Sequence, residues 1–528
     1  MNAPVSLRKS KVVSADEAAS LIRDGDAVAC VGVIGWITPD RVLKAVGDRF
    51  SASGTPRGLT FYFPVGTGDA VDIRGMDHVA REGLMKRIVS GSYINPLNPR
   101  TGERPALMGL IRGNKVEAYS WPIGATMHWL REVARHSPGY LTKIGLRTYI
   151  DPRLGGGKFT ERCADDLVEV TQFRGEEYLF YPSWPLNVGI IRAASSDEFG
   201  NLSWEDEPLT SSSLQIALAV KACGGKVIAQ VRRIVPRHSR PVASVRVPGV
   251  LVDAVVLDPD MVMSTGVAYD PGYLGAASHE MNLPPLPLSA DKVIARRAAR
   301  EVRPGEVSIF GFGASADAPQ VMAEDGLLAG DKLYDYLFTT EHGPFGGFVM
   351  SGWQFSANWN PEALLDGASQ FDFIDGGLCP FAALAFAQFD EEGNVNVSKF
   401  GVANPGAGGF IDIATNARRL VFTGTFTTAG LACGFEGGRL GIAQEGKVSK
   451  FVRNADSITY RVREGVRERG QEALIVTERA VFRVEADGLV LAEVAEGVDV
   501  RRDILDLMAF APVRILDPLP RMDPSLFA

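Results

Sequence analysis

The 528-residue chain has five cysteines, Cys30, Cys163, Cys223, Cys379 and Cys433, and none forms a C-x-x-C pair. That argues against a disulfide framework and against a structural zinc site. Its six histidines, His78, His128, His136, His238, His279 and His342, make no H-x-x-x-H or H-E-x-x-H pair, so no metal is expected. There is no G-x-x-x-x-G-K-[ST] loop and no G-x-S-x-G elbow, which removes a P-loop and the usual serine nucleophile. No long run of like charge occurs. The longest apolar stretch, near Val28–Ile37, is interrupted by Gly32 and Gly35 and falls short of the roughly 20 residues that span a bilayer. Behind Arg8, Lys9 and Lys11 no apolar core follows, so the segment Met1–Val13 is not expected to be a secretory signal. These absences lead us to expect a reduced, soluble, cytoplasmic protein.

What is present is an ordinary globular balance, 46% apolar and 22% charged residues. The net charge of -8 gives no mean field toward nucleic acid or an anionic membrane, so neither is an expected partner. A local basic pocket for an anionic ligand is compatible with it. Glycine, at 57 residues, exceeds its usual share of about 7%. The excess is not periodic, and it marks places where backbone must approach backbone or ligand. The length suggests two to four domains.

The sequence repeats itself. Ser14-Ala15-Asp16-Glu17, an Ala/Leu/Ile stretch and Asp24-Gly25-Asp26-Ala27-Val28 return as Ser289-Ala290-Asp291-Lys292, an Ala/Arg stretch and Pro304-Gly305-Glu306-Val307. Each serine suits a helix N-cap, and Glu17 completes a capping box. Each copy then leads to a Gly-rich corner, Val31-Gly32-Val33-Ile34-Gly35 and Phe310-Gly311-Phe312-Gly313. Pro39 and Pro319 follow, each 14 residues after Gly25 or Gly305, and each suits the first turn of a helix. Further on, Asp197-Glu198-Phe199-Gly200-Asn201 matches Asp390-Glu391-Glu392-Gly393-Asn394 at an offset of 193, and Lys226-Val227-Ile228 matches Arg419-Leu420-Val421 at the same offset. Between the matched parts, Leu283-Pro284-Pro285-Leu286-Pro287-Leu288 reads as an extended linker. The expectation is two homologous halves, residues 1–285 and 289–528, the first carrying an insertion around 70–160. Alternating β-rich and helical stretches predict α/β domains with mostly parallel sheets and a ligand cleft between them.

Two loops could carry chemistry. Leu337-Phe338-Thr339-Thr340 predicts a buried strand with Glu341 at its end, followed by the bare loop His342-Gly343-Pro344-Phe345-Gly346-Gly347. A carboxylate at the carboxyl end of such a strand stands where α/β folds bind ligands. Asn404-Pro405-Gly406-Ala407-Gly408-Gly409-Phe410 could aim N–H groups at a developing oxyanion. Read bottom-up, Gly311-Phe312-Gly313 begins like a dinucleotide loop but lacks the third glycine.

At these residues the chain resembles the family I CoA-transferases, in particular the single-chain acetate or propionate type in which α and β subunits are fused. The resemblance rests on Thr340-Glu341-His342-Gly343, on Phe371-Asp372-Phe373-Ile374-Asp375-Gly376-Gly377, and on Asp390 to Gly401. It rests further on Gly408-Gly409-Phe410-Ile411, on Val476 to Phe482, on Gly145 to Arg153 and on Gly156-Gly157-Lys158. It implies two CoA-transferase-like α/β domains, α-subunit-like and β-subunit-like, with Glu341 as the nucleophile. It also implies an oxyanion site at Gly408 and Gly409, CoA contacts at Gly311, Gly313 and Lys399, and acyl-substrate contacts at Gly35, Ile123 and Gly124. The partners implied are an acyl-CoA and a carboxylic acid, within a homo-oligomer, dimer or tetramer. No cofactor is implied beyond CoA itself, which is substrate and covalent intermediate. Where the family shows Pro-Gln-Gly, this chain has Pro122-Ile123-Gly124, which points to a bulkier or more apolar acid than acetate. Two alternatives stay open, an acyl-CoA hydrolase with Glu341 as a base for water and a non-catalytic acyl-CoA-binding module; a nicotinamide dehydrogenase fails for want of the third glycine and of a clear acid on the following strand.

Overall fold

The computed structural model describes residues 9–94, 96–280, 283–401 and 403–528; the first eight residues, including Arg8 of the leader argument, lie outside the described residues. Two large sheets organise the chain. In the first, strands run in the order Val12–Val13, Ala254–Leu257, Lys226–Ile234, Val188–Ser196, Ala27–Cys30, Leu59–Phe63, Met85–Ser90 and Glu117–Ser120, and each neighbouring pair is parallel. In the second, Leu337–Thr339, Val307–Phe310, Phe381–Ala385, Arg419–Thr423 and Glu472–Val476 are parallel neighbours in that order. Two antiparallel strands, Ala480–Glu485 and Gly488–Val494, extend it. The central strands are buried throughout, as in Val188–Ser196, because helices cover both faces of a parallel sheet.

Five strands of each sheet share one spatial order. Leu59–Phe63, Ala27–Cys30, Val188–Ser196, Lys226–Ile234 and Ala254–Leu257 stand to one another as Leu337–Thr339, Val307–Phe310, Phe381–Ala385, Arg419–Thr423 and Glu472–Val476 do. The local chemistry repeats as well. Ser14 caps the helix Ala15–Ser20 in a full capping box with Glu17, and Ser289 caps Ala290–Ala299 by accepting from the Lys292 N–H. Asp197 accepts from the Asn201 N–H and side-chain amide, as Asp390 does from Asn394. The prolines differ: Pro319 lies in the first turn of Ala318–Glu324, whereas Pro39 precedes Asp40–Ser53 as its N-cap. The linker is tied down, with the Leu286 N–H on Glu324 and Gln320 donating to the Pro284 carbonyl.

Candidate active site

Parallel pairing sets Thr339 opposite Ile309. Two residues beyond this rung in sequence come Glu341 and Gly311, each just past the carboxyl end of its strand. The chain then doubles back at once. Phe345 pairs antiparallel with Thr339, and the Gly346 N–H donates to the Phe338 carbonyl at 2.8 Å. The expected bare loop is therefore a packed hairpin. A Cβ on Gly343, at φ +111°, would lie 2.2 Å from the Leu365 carbonyl oxygen, and one on Gly347 would lie 2.1 Å from the Trp359 carbonyl. Glycine is required there for backbone contact within the protein rather than for access by substrate. Beneath the hairpin, Gln370 Nε2 donates to the Thr340 carbonyl at 2.7 Å, and Thr340 Oγ1 donates to the Ser356 carbonyl at 2.9 Å. These bonds fix the backbone that carries Glu341.

The Glu341 side chain keeps 18% of its surface exposed, so solutes can reach it. Its Oε2 accepts from the Gly409 N–H at 3.0 Å, and its Oε1 lies 3.3 Å from His342 Nε2. A Cβ on Gly409 would sit 2.1 Å from Oε2, so the carboxylate can take this position only against a glycine. The loop that presents Gly409 is anchored on the first half of the chain. Gly408 N–H donates to the Gly91 carbonyl at 2.8 Å, Ile123 N–H to the Gly408 carbonyl at 2.9 Å, and Tyr93 N–H to the Pro405 carbonyl at 2.8 Å. Ala407 N–H donates to Ser120 Oγ at 3.1 Å. Of the two amides expected at the carboxylate, Gly409 faces it. Gly408 does not, because its N–H is committed to Gly91.

The other expected site residues take the following places. Ile123 opens the helix Ile123–Ala134 and is fully buried, with its Cγ1 against Gly91. Gly124 is pressed on Asp412 and Phe371, where a Cβ would come within 2.1 Å and 2.8 Å of them. Gly313, at φ +108°, is exposed beside Phe312, while the Gly311 N–H donates to the Ala383 carbonyl at 2.8 Å. Lys399 is exposed in the turn after Asn394–Asn396, and the Ser398 carbonyl there accepts from the Gly406 N–H. Gly35 lies at the carboxyl end of Ala27–Cys30, so close to Ser264 and Thr265 that a Cβ would lie 2.9 Å from both hydroxyls. Next to it, Trp36 Nε1 donates to the Phe355 carbonyl at 3.0 Å and ties this corner to the second half.

Sequence reasoning gave no role to two acids, the buried Asp412 and the half-buried Asp375. Asp412, on the helix Phe410–Asn416 that follows Gly409, is fully buried; burial first, and then Asp375 and Glu341, push its carboxyl well above the usual range. Burial, and then Asp372, push Asp375 up to about 7. The like charges of Asp375 and Glu341 add to burial in disfavouring a charged Asp412. Asp375 occurs within a quoted motif and Asp412 directly follows another, but nothing in their spacing says how far they are buried. A cavity of about 620 Å³ lined by Arg297, Arg419 and Arg483 contains none of the site residues named above. Among the described residues no group of acids, histidines or cysteines could hold a metal, and no helix is long and apolar enough to cross a membrane.

A two-sheet α/β chain with a glutamate clamped at a strand's carboxyl edge by a glycine amide defines a class, and comparison with known proteins agrees with it. The family model described as coenzyme A transferase matches residues 12–258. The chain belongs to the coenzyme A transferase family and is an enzyme of the CoA-transferase kind. It is 39% identical over 519 residues to acetate CoA-transferase YdiF of Escherichia coli K12, covering 98% of this chain and 95% of that one. It is 38% identical to caffeate CoA-transferase of Acetobacterium woodii, covering 98% of both. The crystal structure of a YdiF acyl-CoA transferase from Escherichia coli O157:H7, as a thioester complex with CoA, superposes with a TM-score of 0.89 at 37% identity, covering 98% of this chain and 96% of that chain.

Proposed function

We propose that the protein moves CoA from an acyl-CoA to a carboxylic acid through a thioester between CoA and Glu341. The observation that carries this is the seat of Glu341, reachable from solvent yet held by the Gly409 N–H. A carboxylate is a nucleophile at neutral pH, and the anhydride it forms can be resolved from either side. Glu341 attacks the donor thioester and releases CoA thiolate. The thiolate attacks the glutamyl carbonyl and frees the donor acid. The acceptor acid then reverses the two steps. One thioester replaces another, so the cycle needs neither ATP nor a metal. The thioester complex of the Escherichia coli relative supports this scheme.

In this reading the Gly409 N–H aims the Glu341 carboxylate through Oε2, and Gly408 holds the loop against the first half. Gly311, Gly313 and Lys399 line the CoA side, while Gly35, Ile123 and Gly124 line the acyl side. The halves divide at 285–289, and the enzyme works in the cytoplasm as a homo-oligomer. Its acyl acid is larger or more apolar than acetate, because Ile123 offers methylenes where an amide would offer a hydrogen bond. The named relatives span acetate and caffeate, a range that leaves room for such a difference.

The test is intact mass after mixing the protein with acetyl-CoA and no acceptor. Glu341 is expected to gain CoA with loss of water, and adding a carboxylic acid is expected to discharge it. Steady release of free CoA with no adduct would sink the proposal in favour of hydrolysis.

A further inference from the structure

His342 stands between the nucleophile and the glycine that turns the hairpin. It is 2% exposed. Its Nε2 lies 3.3 Å from Glu341 Oε1, while its Nδ1 is buried with no hydrogen-bond partner. This arrangement selects a tautomer. A proton on Nδ1 would be a buried N–H without an acceptor and would turn the Nε2 lone pair toward a carboxylate. A proton on Nε2 faces an acceptor. At 3.3 Å the two atoms are within charge-contact distance but not aligned as a hydrogen bond; catalytic contacts are often long or poorly aligned before substrate binds.

We propose that His342 is a catalytic hydrogen-bond donor whose Nε2–H meets Oε1 of Glu341 as charge develops on that oxygen, while the Gly409 N–H aims Oε2 for attack. The inference rests on Glu341 being the nucleophile. In the first step Oε2 bonds to the acyl carbon, the C–S bond breaks and CoA leaves as thiolate. The thiolate then bonds to Glu341 Cδ, and the carbonyl electron pair moves onto Oε1, beside His342. When the pair returns, the Cδ–Oε2 bond breaks and Oε2 departs in the carboxylate of the donor acid. The glutamyl thioester that remains has Oε1 as its carbonyl oxygen. The acceptor carboxylate attacks the same Cδ, Oε1 again takes the charge, and thiolate leaves. Thiolate attack on the acceptor's acyl carbon then restores the Glu341 carboxylate, with an oxygen from the acceptor in place of Oε2. No proton moves in any step, so an uncharged imidazole suffices. Both steps at Cδ charge Oε1, on the side of the carboxylate away from Gly409.

The test compares His342→Gln, which keeps a side-chain N–H, with His342→Met, which fills similar space without one. Rapid-quench intact mass gives the rate of Glu341–CoA formation from acetyl-CoA, and steady-state transfer gives kcat and KM. Met is expected to lower kcat and adduct formation about 100-fold with KM little changed, and Gln to recover most of the loss. Native rates in the Met protein would overturn the proposal. So would equal losses in both proteins with native melting temperatures, which would show that the imidazole only packs. If the Met protein does not fold, His342→Ala with and without added imidazole replaces it, and lack of rescue counts against the proposal. Absence of any CoA adduct on the native protein would instead overturn the role of Glu341 itself.

Discussion

The two halves place different residues at one structural address. In the second sheet Thr339 lies opposite Ile309, and Glu341-His342-Gly343 follows two residues on. In the first sheet Tyr62 lies opposite Ala29, which corresponds to Ile309, and the residues that follow are Pro64-Val65-Gly66. Proline therefore stands where the second half has its nucleophile, and glycine is kept in both. The Pro64 carbonyl accepts from Thr126 Oγ1 at 2.9 Å, and the Gly66 N–H donates to Ser92 Oγ at 2.9 Å. A Cβ on Gly91 would lie 2.3 Å from that Pro64 carbonyl, and the Gly91 carbonyl in turn accepts from Gly408. One copy of the duplicated turn thus carries the reacting carboxylate. The other builds the backbone bed on which that carboxylate's clamp rests. A duplicated fold can divide its labour this way because both copies place the same turn at a sheet's carboxyl edge.

The largest test of this division is Glu341→Gln. The protein should fold and lose transfer by about four orders of magnitude or more, since no covalent intermediate can form. Adding Pro64→Glu to that protein should restore nothing, and transfer regained in the double variant would break the comparison. Next comes Gly409→Ala against Gly408→Ala. At Gly409 the new Cβ meets the end of the Glu341 side chain, which will swing away, so transfer should drop about 100-fold with little change in melting temperature. At Gly408, with φ +56° and open space around the Cβ, the cost should be backbone strain of about 1–2 kcal/mol, with activity largely kept. Equal kinetic losses would mean that the two amides do the same work.

A smaller effect is expected at Ile123. Its replacement by Gln should shift kcat/KM toward acetate and away from a four- to six-carbon acid by about tenfold, from one methylene and one hydrogen bond. An unchanged ratio would assign Ile123 wholly to packing against Gly91. The smallest effect concerns Asp375. Its carboxyl holds a proton up to about pH 7 in the folded chain, against about 4 when unfolded. The folded state therefore binds more protons in that window, and stability falls as pH rises through it. Asp375→Asn should melt a few degrees above the native protein at pH 8, with the gain closing near pH 4. A gain independent of pH would show that charge is not its cause.

Legibility in the sequence followed how local each feature is. The serine caps, the Asp-Glu-x-Gly-Asn turns and the matched strands rest on neighbouring residues, and they were readable as a repeat. The place of Glu341 was readable because a strand pattern ends at it, but its role as nucleophile came from the resemblance of Thr340-Glu341-His342-Gly343 to the CoA-transferase motif. The hairpin at Phe345 was not, since Gly343 and Gly347 look like freedom in a sequence and become tight contacts only once Leu365 and Trp359 arrive. The different tasks of Gly408 and Gly409 were hidden for the same reason: the Gly91 carbonyl that takes one amide lies more than three hundred residues earlier in the chain. The burial of Asp412 likewise depends on Gly124 from the other half.

The stitching of the 404–409 loop to Gly91, Ser120 and Ile123 also acts as an interlock. A carboxylate able to open thioesters is a hazard if it works before water is shut out. Here the amide that aims Glu341 is held by partners far earlier in the chain, on the other sheet. Until both sheets have formed and met, the glutamate is an ordinary surface acid, so reactivity arrives together with the finished tertiary structure.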